Sequence, residues 1–227
     1  MAVQDQDPLQ AEILREVAEE IRDEQYKKLW KKIGPYITAV IIALLAAAAG
    51  YEYYKYDKHQ TELKESFELQ DALVMLRDGN VKDAEASLKD MSQNAKSGYR
   101  FLAAMHYAGV LAEQNNSEEA VAVLNELATN SETPAPLQAV ALLNKVALAA
   151  DLENADYKAL TAELAPMTDP NSPWAADALE LTALMALRQN DNEKAKAALQ
   201  SIIGLQNIPD AVRQRASENL TLLNAAK

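Results

Sequence analysis

Few residues in this chain have the type and spacing that catalysis or metal binding requires. The 227-residue sequence holds two histidines, His59 and His106, and no cysteine. Disulfides, thiolate metal sites and cysteine nucleophiles are therefore excluded. A lone helical histidine is more often packed or solvated than catalytic, and the sequence carries no metalloprotease, hydrolase, phosphate-loop or dinucleotide motif. We predict a protein that is not an enzyme and that holds no cofactor and no metal.

The other reactive or bulky side chains have structural explanations. Glu19-Glu20 and Glu118-Glu119 fit helix starts or charged surfaces, since acids favour the first helical turn. Trp174 follows Pro173 at a helix start and fits either core packing or an anchor on a binding surface. The methionines of the first repeats fit a core or a groove lining: Met75, Met91 and Met105.

Composition and charge limit the possible fold classes and the possible partners. The net charge is −12, and residues 59–227 hold 24 acids and 14 bases. Such a domain repels phosphate backbones, so nucleic acid is excluded as a partner. Alanine and leucine dominate, glycine is scarce and β-branched runs are missing. We therefore predict an all-α fold.

A long uncharged stretch organises the chain. It runs from Ile33 to Tyr51, and as a helix it would span roughly 28 Å, close to the hydrocarbon thickness of a bilayer. Basic and aromatic residues mark both of its ends, as expected where a helix meets both head-group layers: Lys27, Lys28, Trp30, Lys31 and Lys32 before it, Tyr36 in its first turn, and Tyr53, Tyr54 and Tyr56 after it. We predict a membrane span in contact with the lipid bilayer.

Two alternatives to a membrane span remain. One is a buried core helix, although unbroken apolarity of this length is unusual there. The other is a cleaved signal peptide, with Ala47-Ala48-Ala49 as a small-residue cleavage site. Signal peptides have short basic leaders, whereas residues 1–32 carry eight acids against six bases.

The segments before and after the span complete the predicted domain organisation of the chain. Residues 1–8 resemble a disordered end, and an apolar stripe predicts an amphipathic helix in the arm 1–32: Leu9, Ile13, Leu14, Val17 and Ile21. Gly34-Pro35 should separate this helix from the span 33–51, with Pro35 in a first helical turn. Residues 52–58 would form a juxtamembrane linker, and 59–227 a folded domain. The lysines before the span predict a cytoplasmic N-terminus and a domain on the opposite side.

Residues 59–227 contain a repeat of paired helices. Ala84 and Leu88 align with Ala120 and Leu124 at a spacing of 36, and Ala195 and Leu199 lie 75 further on. A small residue 12 positions before each alanine marks the preceding helix: Ala72, Ala108 and Ala183. Small residues let two helices of a hairpin approach closely. A period of 34–40 residues is typical of a helical solenoid, with a bundle without true repeats as the alternative.

The repeat resembles the tetratricopeptide pattern. The matches are Ala72, Met75, Ala84, Leu88 and Met91; Ala108, Leu111, Ala120, Leu124 and Leu127; and Ala183, Ala186, Ala195, Leu199 and Ile202. A degenerate copy lies between the last two, with Ala147 and Ala159, with Glu163 at a leucine position and with Pro166 ending its helix early. We predict hairpins at 59–95, 97–131, 134–168 and 173–206, capped by a helix from Pro209 to Ala226.

The order of these parts resembles the ancillary SecYEG translocon subunit family (YfgM-like). The resemblance is carried by Tyr51-Glu52-Tyr53-Tyr54, Asn116-Ser117-Glu118-Glu119-Ala120 and Trp174-Ala175-Ala176-Asp177. It implies a single-pass inner-membrane protein with a periplasmic domain beside the SecYEG translocon, working with a membrane-anchored periplasmic chaperone and with exported polypeptides. No ligand-binding residue transfers from the family.

These patterns together predict an interaction scaffold whose groove holds a peptide or a partner domain. Small residues on one face of the span would let another membrane helix approach closely: Ala39, Ala43, Ala46, Ala47 and Gly50. An envelope assembly or cell-division scaffold unconnected to secretion is the alternative, and an enzyme with its site in the groove is a third hypothesis.

Overall fold

The fold consists of helices joined by short loops. The computed structural model describes the backbone of residues 8–225 and the side chains of residues 15–225. The helices are α1 (Pro8–Arg77), α2 (Val81–Asn94), α3 (Tyr99–Glu113), α4 (Ser117–Thr129), α5 (Ala135–Ala149), α6 (Tyr157–Leu164), α7 (Ala175–Arg188), α8 (Asn192–Gly204) and α9 (Asp210–Ala225), with a short 3₁₀ helix at Ala165–Met167. No strand occurs within residues 8–225. The predicted all-α fold is confirmed.

The chain divides into two compact units, Met1–Gln60 and Thr61–Lys227. The boundary falls inside helix α1. The disorder expected for residues 1–8 concerns residues outside the described part, except Pro8, which begins α1.

Within the first unit, the expected break at Gly34-Pro35 is wrong, because α1 continues through it. A proline removes only one backbone N–H donor. The hydrogen bonds on either side of it can therefore hold the helix together. The Thr38 hydroxyl donates to the Gly34 carbonyl at 2.9 Å, and a Cβ at Gly34 would meet the Trp30 ring at 3.3 Å. Residues 52–58, expected as a linker, are also helical.

The apolar segment of α1 is exposed. Val40 is 58% exposed, and Leu44 and Leu45 are each 65% exposed. Among residues 15–225, α1 is the one helix long and apolar enough to cross a membrane by length and composition. The buried core helix is therefore the wrong alternative for this segment.

The second unit stacks helical hairpins. The C-terminal part of α1 packs with α2, and α3 packs with both α2 and α4. Helix α4 also contacts α5, and α7 contacts α8. The alanines at the closest approaches of the three clear repeats are almost fully buried: Ala72, Ala84, Ala108, Ala120, Ala183 and Ala195.

The turns of these hairpins repeat with the same period as the alanines. Gly79, Asn115 and Asn190 have φ of 84°, 64° and 58°, the left-handed region that glycine and asparagine tolerate. In each turn the next N–H bonds a carbonyl five residues back: Asn80 to Met75, Asn116 to Leu111, and Asp191 to Ala186. This pattern of hydrogen bonds ends each first helix in the same way. True repeats are present, and the bundle alternative is wrong.

The third hairpin departs from the predicted register by one residue. Ala159 and Glu163 are not in the core, and Leu160 and Leu164 are buried instead. Glu163 pairs with Lys145 on α5, so its charge stays at the surface. The helix ends at Leu164, and Pro166 lies in the following 3₁₀ turn, as predicted.

Arginines join neighbouring helices by donating hydrogen bonds to carbonyls near helix C-termini. Arg100 donates to the Ser92 carbonyl at 3.1 Å, and Arg188 donates to the Ala150 carbonyl. Arg213 of α9 donates to the Leu205 carbonyl at 3.0 Å. A cation suits the negative end of a helix, so each contact both ties two helices and satisfies unpaired carbonyls.

Helix α9 covers the last repeat. It begins at Asp210, one residue after Pro209, and its Ala216 packs with Leu199 and Ile202 of α8. Ala226, the predicted end, lies outside the described residues.

Candidate binding groove

The first helices of successive hairpins form a groove on the second unit. We define the A-helix groove as three depressions of ≈ 330, 510 and 530 Å³ that run from α3 across α5 and α7 to α9. Asn144 and Ala147 line both the first and the central depression, and Glu180 and Leu184 line both the central and the last. The shared residues make the groove continuous.

The groove has an apolar floor. In the central depression the apolar lining is formed by Val140, Leu143, Ala147, Leu181 and Leu184. In the last depression Leu187 and Leu222 are 38% and 69% exposed. Exposed leucines that lie together in a concave surface are suited to burying apolar side chains of a partner.

Trp174 lies at the edge between core and groove. Its side chain is half-buried and packs against the apolar cluster of α5, α6 and α7. It also lines the central depression. The expected core packing is therefore present, and a role as an anchor on a binding surface stays a prediction.

Few polar groups line the central depression. The amide nitrogen of Asn144 donates to the Val140 carbonyl at 2.8 Å. Glu180 accepts from Arg215 of α9 at 2.7 Å. Asp177 is exposed and has no ion-pair partner within residues 15–225. Together with Trp174, these side chains are positioned by the starts and middles of α5 and α7.

One arginine holds the two helices of the central depression together. Arg188, at the end of α7, donates to the Ala150 carbonyl and to the Asp151 carboxylate at the end of α5. The hydrogen bond with Asp151 raises the pKa of Arg188. The contact joins the C-terminal ends of two helices that line the groove.

A buried glutamate organises the N-terminal end of the repeats. Glu65 is 6% exposed and accepts hydrogen bonds from the backbone N–H groups of Lys96 and Ser97 at 2.7 and 3.0 Å, and from the Ser97 hydroxyl. Burial acts to raise the pKa of Glu65, but these hydrogen bonds outweigh it and the pKa lies below its ordinary value. The charged form ties α1 to the loop before α3.

A second polar cluster connects the first two hairpins. The Tyr107 hydroxyl donates to Glu119 at 3.0 Å, and the Lys89 ammonium lies 5.7 Å from the centre of the Tyr107 ring. Contact with Tyr107, and then with Glu119, raises the pKa of Lys89. Burial raises the pKa of Tyr107. The cluster is structural, since it lies among α2, α3 and α4.

The residues named from the sequence fall into two environments. The repeat positions are all buried: Ala72, Ala84, Leu88, Ala108, Leu111, Ala120, Leu124, Ala183, Ala195 and Leu199. The proposed helix-packing residues of α1 are exposed: Ala39, Ala43, Ala46, Ala47 and Gly50. His59 and His106 are exposed too. Met91 is buried, whereas Met105 packs at the core and lines the first depression.

The sequence pattern did not assign Asn144, Asp177 or Glu65 to a binding surface or to the core, although Asp177 is part of one motif that carries the family resemblance. One buried stripe of α1 contains Glu65, Leu69 and Ala72 at helical spacing. An acid on an apolar stripe was therefore the sequence feature that could have indicated a buried role for Glu65. Asp177 and Leu181 are four residues apart on α7, but Asn144 reaches them only through packing. Within residues 15–225 no three metal-ligating side chains come together.

Comparison with known proteins gives one result. A family model described as a tetratricopeptide repeat-like domain matches residues 27–217. The matched range includes the lysines before the apolar segment, that segment and all four hairpins. No curated protein matches the chain, and no solved structure does.

Proposed function

The chain belongs to the tetratricopeptide repeat-like family, and from this premise we propose that it is a membrane-anchored, non-enzymatic scaffold whose A-helix groove binds another protein. Repeat domains of this kind generally act as interaction surfaces. The observation that carries the proposal is the continuous apolar groove, joined in one chain to an exposed apolar helix of membrane-spanning length.

The finer proposal concerns location. We propose that residues 33–51 cross the inner membrane once, with residues 1–32 in the cytoplasm and residues 59–227 in the periplasm. The lysines that precede the span support this orientation, because basic residues stay on the cytoplasmic side.

The proposed partners are the SecYEG translocon and a membrane-anchored periplasmic chaperone, with exported polypeptides as further ligands. The order of arm, span and repeats, and its resemblance to the ancillary translocon subunits, support this assignment. The exposed small residues Ala39, Ala43 and Gly50 would face a partner helix in the bilayer, and the groove would face a chaperone or an emerging chain.

Photocrosslinking in intact cells tests both surfaces. A photoreactive residue at Leu181 reports on the groove, and one at Ala43 reports on the span. Gln200, exposed on α8 outside the groove, is the matched control position. We expect a periplasmic protein crosslinked from Leu181 and a translocon subunit crosslinked from Ala43, with neither crosslinked from Gln200.

Replacing the span by an unrelated one of equal length separates the two contacts. Copurification with the translocon should be lost, while the Leu181 crosslink should persist. Unchanged copurification would show that the span acts only as a membrane anchor and does not contact the translocon. A Leu181 crosslink to cell-division or envelope-assembly proteins alone would favour the alternative scaffold, and equal crosslinking from Leu181 and Gln200 would refute the groove as the binding surface.

A further inference from the structure

The central depression of the A-helix groove offers a partner mainly hydrogen-bond acceptors. Asp177 and Glu180 contribute carboxylates. Asn144 directs its amide nitrogen to the Val140 carbonyl at 2.8 Å, which leaves the amide oxygen as its acceptor. Apart from the indole N–H of Trp174 and the second N–H of the Asn144 amide, the side chains around this depression favour a ligand that donates.

The charges of the groove are only partly neutralised by the protein. Asp151 is paired with Arg188, and Glu180 with Arg215. Asp177 has no such partner within residues 15–225, although it lies beside apolar side chains. The domain around the groove, residues 59–227, carries a surplus of ten acids (24 acids minus 14 bases). A cationic partner is therefore attracted at long range and has an unpaired carboxylate to meet.

Trp174 adds a second group that prefers cations. It precedes α7 and stands three residues before Asp177, so the two side chains lie on neighbouring positions of one helical turn. Both line the same depression. The face of an indole ring attracts ammonium and guanidinium groups, and a nearby carboxylate adds a coulombic attraction to the same cation.

From this juxtaposition we infer that the central depression binds a partner segment that presents a lysine or arginine flanked by apolar side chains. The cation lies between the Trp174 ring and the Asp177 carboxylate. The apolar side chains pack on the floor formed by Leu143, Leu181 and Leu184. This inference rests on the proposed function, since it names the chemistry of the segment that the groove binds.

A set of three fluorescent peptides tests the inference on the full-length protein in detergent micelles. Each peptide has about 13 residues with leucines at helical spacing, and only the central residue differs: Lys, Gln or Glu. Binding is measured by fluorescence anisotropy, with empty micelles as the blank. We expect the Lys peptide to bind about fivefold more tightly than the Gln peptide, as one partly exposed charge pair allows, and the Glu peptide to bind weakest.

Substitutions at Asp177 identify the carboxylate responsible. D177N should remove the preference for Lys over Gln without weakening the Gln peptide, and D177K should reverse the order so that the Glu peptide binds best. E153Q, which removes an exposed acid outside the groove, should leave all three affinities unchanged. Circular dichroism of each variant checks that the helices are retained.

The outcomes separate this inference from the proposed function. If all three peptides bind equally and L181E weakens all of them, the groove binds protein segments but the cation site is refuted. A preference for Lys that survives D177N also overturns it, as does the absence of binding by any peptide. Failure of the proposed function itself would appear as the loss of the Leu181 crosslink in cells.

Discussion

Replacing Glu65 by glutamine should destabilise the repeat domain, because this buried side chain is the acceptor for the loop before α3. The carboxylate receives two backbone N–H groups and one hydroxyl. In E65Q an NH₂ group replaces one oxygen, so one donor loses its acceptor and the remaining bonds become neutral. Hydrogen bonds to a charged group contribute about 1.5–3 kcal/mol each, against about 0.5–1.5 kcal/mol for neutral ones.

We expect E65Q to lower the free energy of unfolding by about 2 kcal/mol. The loss is no larger because Lys96 is exposed, so water can take over part of the lost hydrogen bonding. For a domain of this size that corresponds to a fall in Tm of about 4–8 °C. Circular dichroism at rising temperature, on the full-length protein in detergent micelles, measures it. Hydrogen exchange of the amides of Lys96 and Ser97 should accelerate locally.

The effect should depend on pH with a defined sign. The pKa of Glu65 is lower in the folded protein than its ordinary value of 4.5. Its stabilisation is therefore fully present above that value and is lost as pH falls through the folded pKa. The difference in Tm between wild type and E65Q should be constant near neutral pH and should shrink under more acidic conditions.

D71N is the matched control, since Asp71 is an exposed acid on the same part of α1. It removes one charge without removing a buried acceptor, and its Tm should stay close to wild type. Equal melting of E65Q and D71N at neutral pH, together with unchanged exchange at Lys96 and Ser97, would refute the role assigned to Glu65.

Three other perturbations test the span, the repeat packing and the turns. Changing the four lysines before the span to glutamine should give mixed topology in a reporter fusion. The intact mass of the membrane-extracted wild-type protein should show that the residues before Tyr51 are retained. Removal of that segment would instead indicate a cleaved signal peptide. The isolated domain, residues 59–227, should be mostly helical by circular dichroism with one cooperative melt, and A120D should lower its stability by about 3–5 kcal/mol, because Ala120 is fully buried between helices; a wild-type melt for A120D would contradict that packing. N115V should cost about 1–2 kcal/mol and N115G almost nothing, since φ at Asn115 is 64°; similar melting temperatures for the two variants would show that this turn does not need a left-handed residue.

The sequence by itself determined the features that depend on local pattern. The apolar stretch from Ile33 to Tyr51 predicts a helix of membrane-spanning length from composition alone, and these residues form an exposed, helical part of the longer α1. The spacing of 36 between Ala84 and Ala120 predicts the repeat, because a residue at a close helix approach must be small in every copy. The turn residues recur at the same spacing, since only glycine or asparagine readily adopts their backbone conformation.

The tertiary structure decided what depends on packing between distant segments. Leu164 rather than Glu163 enters the core, because the third hairpin packs against residues of α7 and its position is set by that packing. The groove brings Asn144 of α5 beside Trp174 and Asp177, although α6 and the 3₁₀ turn lie between them in sequence. Glu65 meets the loop at Lys96 for the same reason. Periodicity specifies which face of a helix is buried, whereas the polar groups that meet across helices are set by the stacking of the helices.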